Sequence, residues 1–139
     1  MKPEFKHPEL YQVLPFREWL RKNMPGGADG FIVEDLDLVI RWYGRHYGFD
    51  SHGAFILIDL KFGNTDLSIA QKKTFSMMDK LLRLADPHYE RYLGFYVLQY
   101  SNENWDVANF RINFQNVTHQ QFMEFWQRRF IVPSYVFPV

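Results

Sequence analysis

Asp59 and Lys61 stand two places apart inside the apolar run FILIDLKFG at residues 55–63. A strand sends alternate residues to opposite faces, so this acid and base share a face while Leu60 points away. Two charges on a largely buried strand cost several kcal/mol unless something compensates them. A divalent cation is one such compensator; a structural ion pair at an exposed strand end is another. Asp37 opens the apolar half of the preceding strand-like run, with Asp35 two places before it. If the two runs form a hairpin, Asp37 falls beside Asp59 and Lys61. Two carboxylates and a backbone carbonyl, such as that of Leu60, are hard oxygen donors suited to Mg²⁺ or Mn²⁺. A metal held there lowers the pKa of bound water and stabilises charge on a leaving oxygen. An adjacent lysine orients or deprotonates the attacking water, or neutralises transition-state charge. That set is what phosphodiester hydrolysis needs.

The elements that must position these groups are readable from pattern. Pro8 and Pro15 suit helix starts, and Phe16, Trp19 and Leu20 recur at helical spacing up to the breaker cluster PGGADG at 25–30. FIVEDLDLVIRWYG (31–44) reads as a strand, the glycine-rich 44–53 as a hairpin connection, and 54–62 as a second strand. Ser68 and Gln71 form an S-x-x-Q capping box that opens a helix over 69–85, with Gln71, Phe75, Met78 and Leu82 along one stripe. The box alone also accounts for Gln71. Strands follow at 93–101 and 107–114, then a helix opened by Thr118 and Gln121 and closing near Arg128-Arg129, and IVPSYVFPV as an extended tail or edge strand. The order α-β-β-α-β-β-α describes an α/β (α+β) fold: one domain over 1–139, with a central mixed sheet of about four strands flanked by helices.

Asp37, Asp59-Leu60-Lys61 and Gln71, in that order and context, resemble the PD-(D/E)XK nuclease superfamily. The runs DLDLVI, FILIDLK, AQ (70–71) and GFYVLQYS (94–101) look like its small phage and prophage members, across roughly residues 30–127. The resemblance implies a restriction-endonuclease-like fold and a Mg²⁺- or Mn²⁺-dependent nuclease acting on DNA. Asp37, Asp59 and the Leu60 carbonyl would be metal ligands, Lys61 the catalytic lysine, and Gln71 an active-site glutamine. Leu36 stands where a proline often precedes the first acid, which leaves Asp35 as an alternative to Asp37. The family's first-helix glutamate has Glu18 as its nearest counterpart, then Glu9. The alternative is a catalytically silent nuclease-fold module that binds nucleic acid or a protein partner.

Sixteen basic residues balance sixteen acidic ones, so nucleic-acid affinity has to come from a local surface rather than bulk charge. Arg41, Arg45, Lys72 and Lys73 are the candidate backbone contacts. Cutting both strands of a duplex calls for two sites, which a homodimer supplies. With no cysteine, thiolate metal sites are excluded. The five histidines lack HxxxH or HExxH spacing, and neither a Gly-rich phosphate loop nor a G-x-S-x-G elbow is present. No stretch approaches the roughly 20 apolar residues of a membrane span, and the N-terminus lacks a signal-peptide core. The expectation is a cytoplasmic protein of a bacterial or phage-infected cell.

Overall fold

A computed structural model describes residues 13–30 and 32–138. The chain falls into two compact units that meet in sequence between Glu34 and Asp35. Pro8, Glu9 and the helix expected from Pro8 lie outside the described residues. In the first unit, helix α1 (Val13–Asn23) carries Pro15 in its opening turn. Phe16 and Trp19 stay exposed on it, stacked on one another at 6.4 Å.

The second unit is α+β. Its mixed sheet has five strands in the order β1-β2-β3-β4-β5: Leu38–Trp42, Ala54–Phe62, Tyr92–Tyr100, Phe110–Ile112 and Gln115–Val117. β1 and β2 form an antiparallel hairpin; β2 and β3 run parallel, joined by helix α2 (Ile69–Ala85). Helix α3 (His119–Trp126) follows β5. Alternation along the strands divides the core in two. Ile56, Ile58, Tyr96 and Leu98 pack with Phe125 of α3, while Leu57, Phe95 and Val97 pack with Phe75 of α2. Both capping boxes are formed, at Ser68/Gln71 and Thr118/Gln121.

Three expectations need correction. The first strand begins at Leu38, and residues 32–37 carry no regular structure. The Asp37 carboxylate accepts the Leu60 N–H at 2.7 Å, so a side chain takes the place of a backbone acceptor and the ladder ends. Leu36 and Leu38 accordingly join opposite cores, which two residues of one strand face would not do. The run 107–114 keeps only Phe110–Ile112 as strand, because Asn113 and Phe114 both take positive φ and form a two-residue hairpin turn; β5 beyond that turn is a further strand, so the sheet has five strands rather than about four. The Asn113 side chain holds that turn, its Oδ1 accepting from Val97 N at 2.7 Å. Finally, α3 stops at Trp126, and Arg128, two residues on, sits in the left-handed region.

The described residues of the tail, 131–138, form no edge strand, yet they cover an open edge. Along β3, β4 pairs only with Leu98–Tyr100, and Tyr135 N donates to Phe95 O at 2.7 Å on the uncovered half of that strand. Gly94 permits this approach, since a Cβ there would come within 2.4 Å of Ser134 Cβ.

The 44–53 connection is tied by Arg91, whose guanidinium donates twice to the Asp50 carboxylate, at 2.6 Å each, and to Gly53 O at 2.9 Å. That pairing holds the Asp50 carboxyl well below the usual carboxylate range. At Gly53, φ is +75° and a Cβ would lie 1.9 Å from Trp42 O. Gly53→Ala is therefore expected to cost about 2–4 kcal/mol in urea denaturation. Gly48→Ala serves as the control: φ is +78° but the space is open, so only about 1–2 kcal/mol of backbone strain applies.

Candidate active site

The C-terminal end of β2 carries the site. Asp59 is 2% exposed on the face covered by α2, and the register pairs it with Val97 of β3. Lys61, one alternation further on, places Nζ 3.1 Å from Asp59 Oδ2. Its hydrogen bond goes instead to Gln71 Oε1, at 2.9 Å. Asp59 Oδ2 thus has an ion-pair neighbour but no aligned hydrogen-bond donor, although it is buried. Asp37 reaches in from the segment before β1 and is anchored on Leu60 N.

Burial pushes the Asp59 carboxyl up to about 6, helped by the neighbouring Asp37 carboxyl and opposed by Lys61. Two acids crowded against one lysine are the arrangement that a divalent cation relieves. The oxygen donors are those of Asp37 and Asp59, with the Leu60 carbonyl between Asp59 and Lys61 in sequence. No group of three or more His, Cys, Asp or Glu side chains converges among the described residues. Two carboxylates suffice for Mg²⁺, which binds through one or two of them and keeps several waters. The hard donor set, the raised pKa and an Oδ2 without an aligned hydrogen-bond donor fit such an ion.

Gln71 joins the helix start to this cluster. Its Oε1 accepts from Lys61 Nζ and also from Ser68 N at 3.0 Å, while Gln71 N donates to Ser68 Oγ at 3.1 Å. One oxygen therefore closes the capping box and holds the lysine. Gln71→Ala is expected to lower stability by about 1 kcal/mol in chemical denaturation. Gln71→Glu should recover most of it, because glutamate serves equally at that position of the box.

The remaining candidates spread out. Lys72 and Lys73 follow Gln71 in the first turn of α2; Lys73 is exposed, and Lys72 pairs with Asp66 at 3.1 Å. Arg41 is four residues along β1 from Asp37, about 13 Å of strand. There it donates to His52 O and lies over the Tyr43 ring. Arg45 is further still, in the 3-10 turn of the hairpin connection. The structure thus does not bring Arg41 and Arg45 to the acids. Asp35 is exposed in the irregular segment, so strand alternation no longer puts it on the face of Asp37. Glu18 belongs to the first unit and pairs with Arg21 at 3.1 Å on the surface of α1.

Sequence reasoning missed Gln99. It is 1% exposed on the face of Asp59 and Lys61, donating to Thr65 O at 2.8 Å, and its Oε1 has no partner. The signal was present: an amide at the inward spacing of Phe95 and Val97 in GFYVLQY, as anomalous there as Asp59 is in β2.

No family model, curated protein or solved structure matches the chain. No described helix is long and apolar enough to cross a membrane.

Proposed function

We propose that the chain is a Mg²⁺- or Mn²⁺-dependent deoxyribonuclease that hydrolyses phosphodiester bonds at Asp37, Asp59, Lys61 and Gln71. The observation that carries this reading is the convergence of those four residues, drawn from three segments of the chain, on the end of one buried strand. A restriction-endonuclease-like reading of the fold is supported by an antiparallel hairpin with Asp37 just before its first strand and Asp59 on its second, and by a helix that crosses from that second strand to a parallel neighbour.

Asp37 and Asp59 would hold the cation, with the Leu60 carbonyl completing the protein donors. Once bound, the ion would acidify water and offset charge on the scissile phosphate. Lys61, fixed between Asp59 and Gln71, presents its ammonium beside the acids, where it orients the attacking water and balances developing negative charge. Gln71 sets the direction of that ammonium. Lys72 and Lys73, on the turn that carries Gln71, provide backbone contacts to DNA. Two such sites in a homodimer would cut both strands of a duplex.

Incubation with plasmid, linear and branched DNA tests the proposal. Degradation should require Mg²⁺ or Mn²⁺ and stop on chelation. DNA binding without cutting under every metal tried would instead identify a silent nuclease-fold module.

A further inference from the structure

Lys61 begins a polar row that crosses four strands. The register pairs Lys61 of β2 with Gln99 of β3, Gln99 with Arg111 of β4, and Arg111 with Asn116 of β5. Paired residues share a face, so all four side chains stand on the face of the acids. Beside them, under the β2–α2 loop, a cleft of about 150 Å³ is lined by Asn64, Gln99, Tyr100, Arg111 and Asn116, among others.

Arg111 is oriented without being neutralised. Its Nε donates to Asn116 Oδ1 at 2.9 Å and its Nη1 to Asn64 Oδ1 at 3.2 Å, and no ion pair joins it to a carboxylate among the described residues. Both asparagines spend their oxygens on the guanidinium, so their NH₂ groups remain as further donors at the cleft. A fixed guanidinium flanked by amide donors is the chemistry of phosphate recognition. Gln99 adds the complementary requirement, for its buried Oε1 is an acceptor without a donor. A bare anion offers none, whereas a base next to a backbone phosphate carries N–H donors, such as thymine N3–H.

We infer that this cleft is a second subsite of the nuclease, in which Arg111, Asn64 and Asn116 hold a backbone phosphate flanking the scissile one. The inference rests on the proposed nuclease reading for what it calls the scissile position. Two strand spacings put Arg111 about 10 Å from Lys61 along the row. That is about three nucleotides of axial rise in a duplex strand. Arg111 thereby sets how the strand lies across the sheet as it enters the site. It is a positioning residue.

The test is metal-free binding of a short fluorescent DNA single strand as a function of salt, with wild type, Arg111→Gln and Asn116→Asp. The aspartate variant keeps the arginine and the exposed position but neutralises the guanidinium, so loss of fold does not stand in for loss of contact. Each variant should bind about tenfold more weakly. Each should also lower the slope of log K against log salt by about 0.7, the loss of one single-strand phosphate contact. Mn²⁺ affinity should stay at the wild-type value. In parallel, thymidine 3′,5′-bisphosphate should shift the Arg111 Nε–H and the two asparagine NH₂ signals in NMR spectra. Unchanged affinity and slope in both variants, with DNA still cut by wild type, would overturn the subsite and leave the nuclease reading intact. Reduced slopes in a protein that never cuts DNA would uphold the subsite and overturn the nuclease reading. A wild type that binds neither the strand nor the bisphosphate at low salt would overturn both.

Discussion

Lys61→Ala should reduce the single-turnover rate of Mn²⁺-dependent DNA cleavage by about 100-fold or more, the range expected when a positioned acid–base or charge-stabilising group is removed. The ammonium contacts both Asp59 and Gln71, and Asp37 brings a second negative charge to the same place. Removing it leaves Asp59 with the bound cation as its compensation, while Asp37 keeps the Leu60 N–H. The variant should still bind Mn²⁺ above neutral pH, because both carboxylates stay. Its pH–rate profile should move upward, since Lys61 is what counters burial at Asp59. Lys61→Arg separates the roles. A guanidinium restores a positive charge, and with it part of the profile, but not the compact ammonium that points at one oxygen. The rate should therefore stay low. Wild-type cleavage by the alanine variant would remove Lys61 from the mechanism and return the pair to a purely structural role.

What was legible in the sequence was mostly what depends on local chemistry. The boundaries of β2 and α2 follow from an apolar run bounded by Gly63 and from a capping box, both of which act over a few residues. The Asp59–Lys61 pair of the candidate site was legible for a related reason: a charge in a buried strand is improbable enough to stand out in one dimension. The failures came where a side chain or an unusual dihedral replaced a backbone rule. Nothing in DLDLVI announces that Asp37 will take the Leu60 N–H and end the ladder. Nor does Asn113-Phe114 carry the glycine that normally marks a two-residue turn, so the pattern runs the strand on through the turn and is silent about β5 beyond it. The dual use of Gln71 Oε1 depends on Lys61, ten residues away, and a capping-box pattern is silent about that. Gln99 was overlooked because an amide in an aromatic run looks less anomalous than a charge, though burial without a partner costs it similarly in kind.

Asp59→Asn should stabilise the metal-free protein at pH 8 while abolishing cleavage. The wild-type carboxyl is pushed up to about 6 from an ordinary value of 3.8. Between those values the folded state binds more protons than the unfolded one, so stability falls as pH rises through the window and is lowest above about pH 6. The shift corresponds to a penalty on the order of 3 kcal/mol at pH 8, which the neutral amide largely escapes. Asp50 and Asp86 act in the opposite direction, for their carboxyls are held below the ordinary value and they lose stabilisation only as pH falls below about 3.8. The two windows do not overlap, so melting curves of wild type and Asp59→Asn between about pH 4.5 and about pH 8 isolate the buried acid. Mn²⁺ supplies the second half of the measurement. A cation needs the carboxylate deprotonated, so it should raise the wild-type melting temperature at pH 8, leave it nearly unchanged at pH 5, and do little for the asparagine variant at either. A structural ion pair behaves in the reverse way: Asp59→Asn would then strand Lys61 and lower stability at pH 8, and Mn²⁺ would have no pH-dependent effect. The sign of that one stability change therefore separates an acid retained for chemistry, at a cost to the fold, from one retained to hold the strand in place.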